Sequence, residues 1–141
     1  MRTSSPKQEN GNPRQTLLAR ARHAAALLLL LASPALDAAE LLYVYAPDCG
    51  ACRAFDRDIG EIYPKTEEAR TAPLRRLNIS DIPGKRIVLG AQRVQLNSEP
   101  IGTPTFILIS EGHEIDRFSG YSSDELFWMS LQRLLNKLPQ I

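Results

Sequence analysis

The sequence is short of most things that give a function away. Its 141 positions hold two cysteines, two histidines, two methionines and 6% aromatic residues, and 17 Lys plus Arg are nearly balanced by 16 Asp plus Glu. A net charge of +1 with so few rings offers no basic face with stacking side chains, so nothing points to nucleic-acid binding. No long hydrophobic run exists either: residues 24–32 are nine apolar residues, far below the roughly 20 that span a bilayer. The ordinary 43% apolar and 23% charged content excludes a disordered chain and fits one globular domain.

The first 38 residues read as an address, not as part of that domain. A polar stretch is followed by Arg20, Arg22 and His23, then the nine apolar residues, then small and turn-forming residues to Ala39. Basic, apolar and small segments in that order form a secretory signal pattern, and the run is too short for a lasting membrane anchor. Cleavage is expected after Ala38, with Ala35 as the alternative, although the leading polar region is unusually long. Removing residues 1–38 leaves 12 basic against 14 acidic residues, a net charge of −2, on an exported, periplasmic domain over 39–141 that is expected to act as a monomer.

Residues 41–46 (Leu-Leu-Tyr-Val-Tyr-Ala) are an apolar, aromatic run stopped by Pro47, which predicts a buried strand. The run leads straight into Cys49-Gly50-Ala51-Cys52. Phe55, Ile59 and Ile62 then recur at helical spacing between charges, predicting an amphipathic helix over 49–62 that ends or kinks at Tyr63-Pro64. Residues 73–79 alternate as a second strand, with Leu74 facing away from Leu77 and Ile79. Residues 81–101 fit a short helix, a hairpin about Gly90 or a loop. Thr105-Phe106-Ile107-Leu108-Ile109-Ser110 and residues 114–118, with Ile115 and Arg117 alternating with Glu114, Asp116 and Phe118, predict an antiparallel hairpin turning at Glu111-Gly112. Ser122 or Ser123 can cap a last helix with the inward stripe Phe127, Leu131, Leu134 and Leu138.

Strand, Cys-x-x-Cys at a helix start, strand, Thr103-Pro104 opening a hairpin, and a final helix is an order that resembles the thioredoxin superfamily, an α/β class with a central mixed sheet flanked by helices. Ile62-Tyr63-Pro64-Lys65-Thr66, Ala72-Pro73-Leu74-Arg75-Arg76, Thr103-Pro104-Thr105-Phe106, Glu111-Gly112 and Phe118-Ser119-Gly120-Tyr121 with Phe127-Trp128 resemble the periplasmic thioredoxin-like proteins of sulfur-oxidation clusters, the SoxS type. The resemblance spans almost all of residues 40–138. It implies a thiol–disulfide oxidoreductase with no cofactor, acting on protein disulfides and drawing electrons from a membrane thiol carrier. It also implies that Pro104 is cis and that Thr103 and Pro104 form the substrate-binding loop, the Thr103 backbone pairing with a substrate strand.

The residues support that chemistry by themselves. A helix start offers free N–H groups and about half a positive charge, which favour a thiolate at Cys49. Cys52, one turn further in, is placed to attack a mixed disulfide formed at Cys49 and release the partner. A purely structural disulfide over four residues would contribute only about 2 kcal/mol. Structural zinc needs four ligands, and beyond the leader only two thiols and His113 are on offer. A copper-delivery module using both thiols and a disulfide-donating oxidase stay open as alternatives.

The motif also departs from the thioredoxin pattern. No tryptophan precedes it, Ala51 stands in the usual proline position, and the acid expected six residues before the first cysteine is Tyr43. Proton transfer at Cys52 is therefore unassigned. Asp48 disfavours the Cys49 thiolate and Arg53 favours it. Glu40 reads as an exposed strand start, Arg75 and Arg76 as a solvated strand end, and His113 as a solvated turn residue. Phe55, Phe106, Phe118, Phe127 and Trp128 read as core or near-core packing.

Overall fold

The computed structural model describes Met1 and residues 39–139. The signal segment expected over residues 1–38 and its expected cleavage site thus lie, Met1 apart, outside the described residues. Among the described residues, six strands, three α-helices and short helical turns follow in order: β1 (Glu40–Tyr45), α1 (Gly50–Phe55), α2 (Glu67–Thr71), β2 (Leu74–Asn78), β3 (Arg86–Leu89), β4 (Gln92–Gln95), β5 (Thr105–Ser110), β6 (His113–Ser119) and α3 (Asp124–Leu135). They build one mixed sheet in the order β2-β1-β5-β6-β4-β3, the α/β sheet with flanking helices that the sequence predicts. Among the described residues no helix is long and apolar enough to cross a membrane.

β1 is apolar at every inner position because both of its faces are covered. Leu41 and Tyr43 join Phe106 and Leu108 of β5 beneath the helices, where Phe55, Phe127, Leu131 and Leu134 pack on them, with Phe118 and Trp128 at the margin. Leu42 and Val44 face the other way with Ile107 and Ile109. That second face is covered by Ile87, Leu89, Val94 and Leu96 of the β3–β4 ribbon and its flank, so the ribbon curls over the sheet instead of extending it flat. Within the stretch 81–101, residues 86–95 are therefore a hairpin about Gly90, whose φ of 65° suits a glycine in the first position of a two-residue turn. Leu74 of β2 packs under the helices while Leu77, and Ile79 in the 3₁₀ turn that follows β2, pack on the opposite cluster, as the alternation predicts.

Two expectations need correction. The helix predicted over 49–62 is α-helical only to Phe55, widens into a π turn over Asp56–Gly60, and gives way to a 3₁₀ turn at Tyr63–Lys65. Ile59 is still buried, but Ile62 is exposed, because the wider turn breaks the spacing that would have carried it inward. β6 also does not alternate strictly. Its register with β5 shifts between Leu108 and Ile109, leaving Ile115 extra, so Glu114 and Arg117 come to one face while Ile115 and Phe118 pack beneath the helices.

α3 starts where Ser123 Oγ accepts the Leu126 N–H at 3.3 Å. Around its C-terminal end, Asp116 Oδ2 takes hydrogen bonds from Arg133 in the last turn and Lys137 just past it, each at 2.7 Å. The Lys137 hydrogen bond is the main influence holding the Asp116 carboxyl below its usual range. A lowered carboxyl pKa stabilises the fold fully above the unfolded value near about 4, and that contribution fades as pH falls through the folded value. Asp116→Asn is expected to cost about 0.5–1 kcal/mol at neutral pH, little because the pair is partly solvated. Urea titrations at neutral pH and near pH 2 check this, and the difference from the parent should vanish in acid.

Candidate active site

β1 ends at Tyr45, and Ala46-Pro47-Asp48 turn the chain so that Cys49 N–H donates back to the Ala46 carbonyl at 3.2 Å. Cys49 is then the N-cap of α1, with extended backbone (φ −78°, ψ 110°), and its Sγ accepts the Cys52 N–H at 3.0 Å. That amide is one of the orphan donors of a helix start, aimed here at sulfur. Cys49 and Cys52 form a disulfide with Cα atoms 5.2 Å apart. The two sulfurs are not equivalent: Cys49 is half-buried at the surface, whereas Cys52 is 2% exposed within the aromatic cluster. Of the flanking charges, Asp48 is exposed, and Arg53 reaches back until its Nη2 stands 3.7 Å from where a Cβ on Gly50 would lie.

Beneath the dithiol lies Tyr43, fully buried between Phe55 at 4.7 Å and Phe106 at 5.2 Å, its hydroxyl donating to the Cys52 carbonyl at 3.2 Å. Burial, and next the nearby Asp56 carboxylate, push its pKa upward, so it stays a neutral donor throughout the physiological range. The position where the resemblance expects an acid thus holds a group that does not titrate there. Asp56, one helical turn past Cys52, grips Arg76 through contacts of 2.5 and 3.0 Å, and the Arg76 guanidinium covers the Tyr43 and Tyr45 rings at 4.8 Å each. Arg75 and Arg76 are both exposed, as the reading of a solvated strand end expects, and both are also ion-paired, Arg75 with Glu40 at 2.7 Å. The Asp56–Arg76 pair escaped sequence reasoning. Its only signal was the i, i+4 spacing from Cys52. His113 is exposed, as expected, whereas Glu40, expected exposed, is half-buried against Arg75.

The Thr103–Pro104 peptide is cis, and Pro104 is buried while Thr103 is half-buried. β1 and β5 pair as far as Val44 with Thr105, so the residues before Thr105 run on beside Tyr45 and Ala46, at the end of the sheet where the cysteine turn begins. Cys49, Cys52, Thr103 and Pro104 are thereby gathered at one sheet end. Among the described residues no three His, Cys, Asp or Glu side chains gather to hold a metal.

A solved structure decides the family. The crystal structure of the periplasmic thioredoxin SoxS from Paracoccus pantotrophus, in its reduced form, is 32% identical to this chain, covers 70% of it and 97% of its own length, and superposes with a TM-score of 0.62. The chain belongs to the SoxS-type thioredoxins. Membership together with the bonded Cys49–Cys52 pair makes it a thiol–disulfide oxidoreductase. A thioredoxin-fold protein from Helicobacter pylori (19% identity, 71% of this chain and 70% of that one, TM-score 0.49) and Malassezia sympodialis thioredoxin (15%, 70% and 79%, 0.49) are more distant and add nothing to the SoxS-type assignment. No family model and no curated protein matches the chain.

Proposed function

We propose that the chain is an exported, periplasmic reductase of partner-protein disulfides in which Cys49 attacks, Cys52 resolves, and Thr103 with Pro104 holds the substrate strand. The observation that carries this is the inequality of the two sulfurs: Cys49 is reachable and capped by an aimed amide, and Cys52 is enclosed one turn below. In the reduced protein, the Cys49 thiolate displaces one sulfur of the partner disulfide, which leaves as a thiolate. Cys52 then displaces the partner's other sulfur, closing the bond seen in the structure. Two electrons pass to the partner, and an external thiol must return them. In an oxidising compartment that donor is a membrane thiol carrier.

The leader over residues 1–38 and the periplasmic Paracoccus relative support the compartment. The SoxS type points to a partner in the periplasmic sulfur-oxidation system. The test is capture in cells: Cys52→Ser is expected to accumulate mixed disulfides on Cys49, and mass spectrometry should identify sulfur-oxidation components among the captured proteins. Capture of other exported proteins only would remove that assignment and keep the chemistry. A reduction potential near about −120 mV, in place of one near about −270 mV, would reverse the proposed direction.

A further inference from the structure

Ile101 stands almost wholly in solvent, 97% exposed, two residues before Thr103. One exposed apolar residue is ordinary; the way its segment is held is not. Residues 97–104 are held at both ends, by side chains of β6 at the start and by Thr105 of β5 with Gly120 just past β6 at the end. At the start, Asn97 N–H donates to Glu114 Oε2 at 2.8 Å and Arg117 Nη2 donates to the Ser98 carbonyl at 2.7 Å, while Glu114 and Arg117 are forked together at 2.5 and 2.6 Å. At the end, Thr105 Oγ1 donates to the Gly102 carbonyl at 2.7 Å and lies 2.8 Å from Ser119 Oγ, and Gly120 N–H donates to the Pro104 carbonyl at 2.8 Å. Glu114 is a side chain only 2% exposed, and desolvating such a pair is more than a surface loop needs merely to stay folded. The effect is to hold the backbone on both sides of Ile101.

We propose that Ile101 selects the partner: clamped beside the Thr103 edge, it packs against an apolar side chain next to the reacting cysteine of the substrate. This rests on the reading of Cys49 as the attacking thiol and Thr103 as the backbone contact. A substrate strand laid along Thr103 turns alternate side chains toward the protein. What those side chains meet is exposed Ile101 and Gly102 and half-buried Thr103, three uncharged residues between the buried Pro100 and Pro104. A polar flanking residue would give up hydration against Ile101, whereas an apolar one would bury itself and Ile101 together.

The test uses the reduced full-length domain and two synthetic peptides, each carrying one cysteine as a mixed disulfide with 5-thio-2-nitrobenzoate and differing only in Leu or Asn beside that cysteine. Cys49 attacks the peptide sulfur, nitrothiobenzoate leaves, and Cys52 then expels the peptide thiol, so one dithiol becomes one disulfide. The second-order rate of nitrothiobenzoate release is expected to be about tenfold greater for the Leu peptide. Ile101→Ser should bring the ratio near one, and Ile101→Leu should restore it. Equal rates for the parent, or an undiminished ratio in Ile101→Ser, overturns the proposal. Release from neither peptide brings down the reading of the dithiol itself, and the proposal with it.

Discussion

Cys49→Ser is expected to lower the reduction of insulin disulfides on the order of 10³-fold or more, since a serine hydroxyl is not ionised near neutral pH and cannot open the exchange. Cys52→Ser should lose turnover differently, by completing the first displacement and then holding the partner as a stable mixed disulfide. The contrast between the two variants assigns the roles. Alkylation of the reduced protein gives an independent measure. A cysteine at pKa 8.5 is about 3% thiolate at pH 7 and one near 7 is about half ionised, yet lowering the pKa also weakens the thiolate as a nucleophile, leaving only about a threefold net gain. Any larger preference must come from access, and access is what the structure separates most sharply, with Cys49 at the surface and Cys52 enclosed. Iodoacetamide should therefore label Cys49 at least about tenfold faster than Cys52. Equal labelling of both sulfurs, or full activity in Cys49→Ser, sinks the assignment.

The parts of this molecule that could be read from the chain are those whose signal is local. β1 has an uninterrupted apolar run, the cysteines have their spacing, and α3 has a cap and an i, i+4, i+7 stripe. The turn between β5 and β6 is another, with Glu111 and Gly112 at φ of 52° and 75°. What could not be read depends on partners distant in sequence. The β3–β4 ribbon does carry a period of two in Ile87, Leu89, Val94 and Leu96, but its strands are four residues each and the turn partner of Gly90 is Ala91, a weak turn former. The π turn after Phe55 places Asp56 where it binds Arg76 from β2, and nothing within residues 49–62 announces that contact. Tyr43 illustrates the limit at the site itself. Its position marked it as the replacement for an expected acid, but only packing shows that it serves as a buried donor to the Cys52 backbone.

Arg117→Leu is expected to destabilise the fold by about 3 kcal/mol, although it removes a side chain from the margin of the sheet. The cause is Glu114. Its carboxylate is enclosed with two kinds of partner, the Arg117 guanidinium and the Asn97 N–H, and the substitution leaves a buried charge with the second alone. For a domain of this size that loss corresponds to a melting temperature lower by roughly 15 °C. Combining Arg117→Leu with Glu114→Gln should return stability to within about 1 kcal/mol of the parent, because a neutral amide oxygen still accepts the Asn97 N–H and no charge is stranded. Thermal melts of the parent, both single variants and the double variant close the cycle. A single variant as stable as the parent, or a double variant no better than Arg117→Leu, would show that the pair is not the buried clamp described. The double variant also separates folding from grip. Its stability returns, but the Arg117 hydrogen bond to the Ser98 carbonyl does not, so the segment that carries Ile101 is held from one end instead of two.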